Sequence, residues 1–417
     1  MKLYSILLIV ASLFIGGCGS LDKPVSDNVN GGELVVSLDG KFIKKTLLDR
    51  HIAGITKDTI VYGQKAYKIP YITTDEEGNE VNASGYMVVP IGLPDMLIDA
   101  KGFSVVSDDH GTIFHDKDET LSVIATRTNS PSGSSIIYSS LAGFVTLQPD
   151  YIGFGDSVGH YHPFVLKKSL ANATVDFIKA AKEFANNNGI HLNNQLFITG
   201  YSEGGYAALA TLQKIEQEHI DMPVTLAVPM AGPYDLNLTA FSVLSQKQLS
   251  EPSFMANVAY AYANAYSYPY NDIVNEPYAS RLSSLFDGTK HMNEIDKELT
   301  YQTTGDDGLF ASVFVNDFIK DTNNWFRRAL VDNSLQRWNP QTSIRFLHCK
   351  GDDIIPYKMS QWTKKNLDAY GAKDTQIITV EDALGISSDI GHSQCGALAY
   401  GLSSHIFADI RKTTIGY

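Results

Sequence analysis

The stretch "QLFITGYSEGGYAALATLQKIEQEH", residues 195–219, constrains the fold more than any other part of the chain. Leu196-Phe197-Ile198-Thr199 is an apolar run of buried-strand type. From Glu203 onward the spacing predicts a helix, and no loop is left between the two. The chain must therefore turn sharply at Tyr201-Ser202. Gly200, Gly204 and Gly205 surround that turn, where a side chain would collide as the backbone folds back on itself. A strand delivered straight into a helix is the unit of a parallel sheet covered by helices.

The same unit recurs along the chain. "AYKIPYITTDEEGNEVNASGYMVVPIG" reads as two strands joined at Glu76-Glu77-Gly78-Asn79. "GFSVVSDDHGT" and "GFVTLQPDYIGFG" are further strands, with a short helix predicted over "SSIIYSSLAG" between them. In "LKKSLANATVDFIKAAKEFANNNG" the residues Leu170, Ala173, Phe177, Ala181 and Phe184 share one helical face, and Gly189 closes the segment. The strand "VTLAVPMAGPYD" follows. Much later come the strand "SIRFLHCKGDD", the helix "KMSQWTKKNLDAYGA", the strand "TQIITVED" and a last helix over "CGALAYGLSSHIFADIR". The fold class this implies is α/β, a mostly parallel, doubly wound sheet. Residues 36–236 and 341–417 form its core. Residues 237–340 break the alternation, look largely helical and are expected to form a cap over the site. Tyr260, Tyr262, Tyr266, Tyr268, Tyr270 and Tyr278 in that insertion could line a substrate tunnel, although aromatics at such spacing more often pack a core.

In such sheets the chemistry sits at the carboxyl ends of the strands. Two Gly-x-Ser-x-Gly matches compete there, centred on Ser157 and Ser202. A serine nucleophile needs a strand-to-helix turn that exposes its hydroxyl and aims the next backbone N–H at a developing oxyanion. Ser202 has that context. Ser157 does not: its strand ends near Asp150, and "HYHPF" after it carries a proline that opposes a helix. A serine at its ordinary pKa also needs a histidine to take its proton and a carboxylate to orient the imidazole, in chain order Ser, acid, His. Of eleven histidines, His392 alone falls between the last strand and the last helix, on a loop by this reading. Asp352 and Asp353 both follow the strand "SIRFLH", and Asp382 and Asp389 are more distant candidates on the histidine's own approach.

With "PDYIGFG", "HPF", "GYSEGG", "HCKGDDIIPY" and Gly391-His392 in place, residues 60–417 resemble an α/β-hydrolase of the secretory lipase type, the family of fungal lipase A and related bacterial exported esterases. The resemblance implies a serine esterase or lipase acting through an acyl-enzyme. It also implies that Asp352, four residues before Pro356, is the acid of a Ser202–His392–Asp352 triad. For the oxyanion hole it implies the N–H of Glu203 and one from "DDHGT". There His110-Gly111 resembles a His-Gly motif and makes Thr112 the choice over Gly111. Cys349 stands where that pattern often has glycine. Cys349 and Cys395 each lie three positions from a triad member, so a bridge between them would brace the acid and the histidine; two buried free thiols are the alternative.

The amino terminus points outward from the cell. "MKLYSILLIVASLFIGGC" has one early lysine, a short apolar run and Gly16-Gly17 before Cys18, a pattern that resembles a bacterial lipobox. Residues 1–17 are expected to be a lipoprotein signal peptide, Cys18 the lipidated residue and membrane anchor, and residues 18–35 a flexible tether. Gly19, rather than aspartate, after that cysteine favours the outer membrane or cell surface. A net charge of −13 without a basic stretch argues against a nucleic-acid partner. No cofactor is called for, since there is no His-x-x-x-His pair on a predicted helix, no phosphate-binding loop and no dinucleotide fingerprint in context. The competing readings are a serine peptidase of the prolyl-oligopeptidase type, a glycan-ester (acetyl or feruloyl) esterase, and a binding protein that keeps the fold. The peptidase would normally bring a large β-domain. The binding protein should have lost part of the serine constellation.

Overall fold

The structure, a computed structural model, describes residues 27–417 apart from residue 53. The signal peptide, Cys18 and the first part of the tether therefore lie outside the described residues. Ten strands build one sheet: β1 (Asp27–Val29), β2 (Gly32–Leu38), β3 (Gly63–Thr74), β4 (Glu80–Ile91), β5 (Phe103–Asp109), β6 (Val145–Pro149), β7 (Leu192–Tyr201), β8 (Leu226–Met230), β9 (Ile344–His348) and β10 (Thr375–Thr379). Their spatial order is β1-β2-β3-β4-β6-β5-β7-β8-β9-β10. From β6 to β10 all pairings are parallel, and from β1 to β4 all are antiparallel.

Residues 27–35 are not tether, because β1 and β2 form a hairpin pinned to β3, with Val35 and Val36 fully buried. Turn-forming residues around Gly31-Gly32 mark a hairpin tip rather than a linker.

Helices α1 (Lys167–Asn187) and α2 (Glu203–Gln217) cover one face of the sheet. Along β7 the side chains alternate as a strand must. Leu196 and Ile198 join Phe177, Ile178 and Ala208 in one cluster, whereas Phe197 meets Phe407 on the other face, at 4.6 Å between ring centroids. All five residues predicted for the inner face of α1 are buried. Gly85 of β4 is the seat of Phe177: a Cβ there would stand 2.4 Å from the ring.

Between β8 and β9 the chain is helical, beginning with α3 (Leu236–Leu244) and α4 (Pro252–Ala265). The tyrosines of this insertion pack on one another and on their neighbours rather than around a tunnel. Tyr262 is fully buried 5.4 Å from Phe326, and Tyr268 stacks on Trp325 at 3.8 Å. The last helix, α5 (His392–Thr414), begins three residues earlier than expected. Its first N–H groups have no Ser, Thr, Asp or Asn immediately before them. The cap comes instead from Asp353, whose Oδ1 accepts the His392 N–H at 2.9 Å. His392 is thus the first residue of a helix and not part of a loop.

Candidate active site

The carboxyl ends of β5, β7 and β9 lie at one edge of the sheet, so the segments that leave them meet. Ser202 leaves β7 at φ 61° and ψ −121°, a conformation foreign to non-glycine residues that costs on the order of 1–3 kcal/mol. The surroundings enforce it. The Ser202 N–H donates to the Met230 carbonyl at 2.9 Å, and the Tyr206 N–H to the Ser202 carbonyl at 3.1 Å. The glycines around it are steric necessities. A Cβ at Gly200 would lie 2.4 Å from the Asp109 carbonyl oxygen, one at Gly204 1.9 Å from the same atom, and one at Gly205 2.3 Å from the Met230 oxygen. The strain lifts the Ser202 hydroxyl off the sheet and leaves the Glu203 N–H at the first turn of α2, where the helix dipole favours negative charge.

His392 Nε2 lies 3.0 Å from Ser202 Oγ, and His392 Nδ1 lies 2.7 Å from Asp352 Oδ2. Tyr201 fixes the other side of the imidazole: its hydroxyl donates to the His392 carbonyl at 2.7 Å, and the two rings are 4.8 Å apart. Asp352 is held as tightly. Its Oδ1 accepts the N–H groups of Ile354 and Ile355 at 3.1 and 2.8 Å. Burial opposes its charge, but hydrogen bonds from His348 and His392 outweigh that and hold the carboxyl well below the usual carboxylate range. An ionised Asp352 is the form that orients a neutral imidazole and stabilises its protonated form.

His348 carries no role in the sequence reading, yet it is fully buried and 3.3 Å from Asp352 Oδ2, with its other nitrogen 2.8 Å from Ser360 Oγ. A histidine four residues before a candidate acid was the available signal. Asp353 touches the histidine's backbone and not its ring, which separates it from Asp352. Asp382 pairs with Lys350 at 2.7 Å on the surface. Cys349 and Cys395 are joined in a disulfide, both sulfurs buried, tying the end of β9 to the first turn of α5.

Ser157 has no such arrangement. It is buried in a turn of 3₁₀ helix, where its hydroxyl donates to the Phe154 carbonyl at 2.7 Å and accepts the Gly153 N–H at 3.1 Å. Its loop is anchored to the elbow through His162, whose Nε2 lies 2.7 Å from the buried Glu203 carboxylate. His110 is no candidate base, since its ring nitrogens face the Gly111 and Asp150 carbonyls at 2.8 and 3.2 Å. Burial also lowers its pKa.

Ser202 opens onto two cavities. One, of about 560 Å³, lies beneath the helical insertion and is walled by Leu236, Val243, Leu249, Phe254, Met255 and Val258. The other, of about 550 Å³, reaches past His392 toward the end of β5. Thr112 lines both, and Glu203 lines the first.

A family model described as secretory lipase matches residues 122–386. The chain belongs to that family. As a secretory lipase family member it is a carboxylic ester hydrolase, and the family is one of exported proteins. Among curated proteins none matches the sequence. Solved structures share the fold. A presumed hydrolase from Legionella pneumophila superposes with TM-score 0.77 at 24% identity, over 93% of this chain and 98% of its own. The rice cell wall degrading esterase LipA from Xanthomonas oryzae gives 0.73 at 20% identity, over 94% and 98%. Candida antarctica lipase A in its closed state gives 0.59 at 12%, over 94% and 82%. Among the described residues no helix is long and apolar enough to cross a membrane.

Proposed function

We propose that this family member cleaves carboxylic esters through an acyl-enzyme on Ser202. The observation that carries the reading is the unbroken hydrogen-bonded line from Ser202 Oγ through His392 to Asp352. Ser202 Oγ attacks the ester carbonyl carbon while His392 Nε2 takes its proton. The oxyanion is met by the N–H groups of Glu203 and Thr112. As the C–O bond breaks, Nε2 returns the proton to the leaving alkoxide. A water then repeats the sequence on the acyl-enzyme, releasing the acid and restoring Ser202. Residues 237–340 act as the cap, and the apolar cavity beneath them receives the acyl chain. The protein is anchored to the bacterial envelope by lipid on Cys18, a reading supported by Gly16-Gly17-Cys18 after a short apolar run.

The test is stoichiometric labelling of the full chain in detergent with a p-nitrophenyl alkylphosphonate, followed by peptide mapping. One phosphonyl group per chain on Ser202, with loss of p-nitrophenyl ester hydrolysis in proportion, is expected. Labelling elsewhere, or full activity after Ser202 is labelled, overturns the mechanism.

A further inference from the structure

The motif "HPF" at 162–164 has no part in the triad, yet its histidine ends against the residue that follows the nucleophile. His162 Nδ1 lies 3.0 Å from the Ile152 carbonyl, an acceptor, so that nitrogen carries a hydrogen. Nε2 lies 2.7 Å from Glu203 Oε1, a second acceptor. An imidazole already protonated on its far side makes that contact only with a further hydrogen between the two atoms. Whichever atom owns it, the pair carries no net charge. Both members are buried, Glu203 at 1% exposure and His162 at 7%. Glu203 Oε2 has no hydrogen-bond partner, so the compensation falls to His162. The rings of Tyr151, Phe154 and Phe164 stand 6.0, 4.9 and 6.2 Å from the imidazole and keep water from the contact.

Glu203 is awkwardly placed for a carboxylate. Its own N–H is the proposed donor to the oxyanion, and its charge sits one side chain's length from that N–H. A bare negative charge there, in a dry site, would oppose the oxyanion that the N–H has to stabilise. The contact with His162 removes that charge from the site. It also ties the first turn of α2 to a wall of the cavity beneath the insertion, because Phe164 and Val165 line it. Val165 stands at φ 48°, a strained value for a β-branched residue, and its carbonyl accepts the Tyr262 hydroxyl at 3.1 Å. The elbow and the wall facing the substrate are thus held in one frame through His162.

On the mechanism proposed above, we propose that His162 is a positioning residue for ester cleavage. By holding a hydrogen against Glu203 it keeps the carboxylate neutralised beside the oxyanion and keeps the Glu203 N–H aimed at the reacting carbonyl.

The experiment compares the parent, His162→Gln and the double variant His162→Gln with Glu203→Gln. Each full chain is assayed in detergent on p-nitrophenyl octanoate at pH 8. Glutamine keeps a donor but cannot carry the cation. His162→Gln should lower kcat by about tenfold or more with KM within about threefold, because the group acts on the transition state. Removing the carboxylate as well should restore kcat by about fivefold or more over the single variant, which a merely structural role for His162 would not produce. Should the single variant fail to accumulate as folded protein by circular dichroism, the double variant must still fold, since a lone buried carboxylate is then the cause. A smaller loss of kcat, a loss confined to KM, or a double variant that recovers neither rate nor folding overturns the assignment. Failure of the mechanism looks different, because then Ser202→Ala would cleave the ester as the parent does.

Discussion

Asp108 is the penultimate residue of β5 with almost no exposure to solvent, and burial pushes its carboxyl up to about 6 despite hydrogen bonds from Ser134, Tyr400 and Gln148. In the unfolded chain the same group titrates near 3.9. A folded pKa above the unfolded one means that folding is favoured most when the group is protonated. That contribution is fully present below about pH 4 and is lost as the pH rises through about 6. The difference of about two units corresponds to about 3 kcal/mol, of which about two-thirds falls between pH 4.5 and 8. Asp108→Asn removes the charge and nearly preserves the shape. The new amide can still accept from Gln148 and turn its NH₂ to the far side. The stability of the variant relative to the parent should therefore improve by about 2 kcal/mol on going from pH 4.5 to pH 8. Part of that gain belongs to the adjacent Asp109, also pushed up by burial and then by the charge of Asp108. For a chain this long 1 kcal/mol moves Tm by about 1 °C, so calorimetry should show a pH-dependent offset of about 2 °C. An offset of the same size at both pH values would refute the argument that a charge is being held in the dry interior.

Three further outcomes follow from the same geometry. Asp352→Asn should lower kcat by about 10⁴, because the amide no longer selects the right imidazole tautomer. Asp353→Asn, which touches only the His392 backbone, should cost less than tenfold; steady-state kinetics on one ester separates the two. Replacing Cys349 and Cys395 together by alanine opens a crosslink between residues 46 apart and should lower unfolding stability by about 4 kcal/mol, read from urea curves. Gly204→Ala drives a methyl into the Asp109 carbonyl, so the variant should fail to give folded, phosphonate-reactive protein by circular dichroism and labelling.

The parts of the site that were legible in the sequence are those fixed by local chain chemistry. The elbow at Ser202 is written in its glycines, because a Cβ at Gly200, Gly204 or Gly205 would stand about 2 Å from a carbonyl oxygen of the turn or of the flanking strands β5 and β8. The strands and helices of the core likewise follow from alternation along the chain. What escaped the sequence is set across the fold. The hairpin of β1 and β2 looked like linker because the strand it pairs with, β3, lies far downstream, Glu33 opposite Lys68 and Leu38 opposite Gln64. His392 looked like a loop residue because its helix is capped by Asp353 from another strand's exit. His348 supports Asp352 only because β9 ends in a bend that folds the acid back over it. The division of the space around Ser202 into two cavities depends on which loops meet, and no local pattern encodes it.

The most direct measurement sets Ser202→Ala beside Ser157→Ala, both centres of a Gly-x-Ser-x-Gly match, on p-nitrophenyl esters from acetate to palmitate. The account predicts that Ser202→Ala loses several orders of magnitude in kcat at every chain length. It predicts that Ser157→Ala, which gives up only buried hydrogen bonds to Tyr151, Gly153 and Phe154 of its own loop, stays within about tenfold of the parent. Activity that survives in Ser202→Ala and disappears in Ser157→Ala would contradict it.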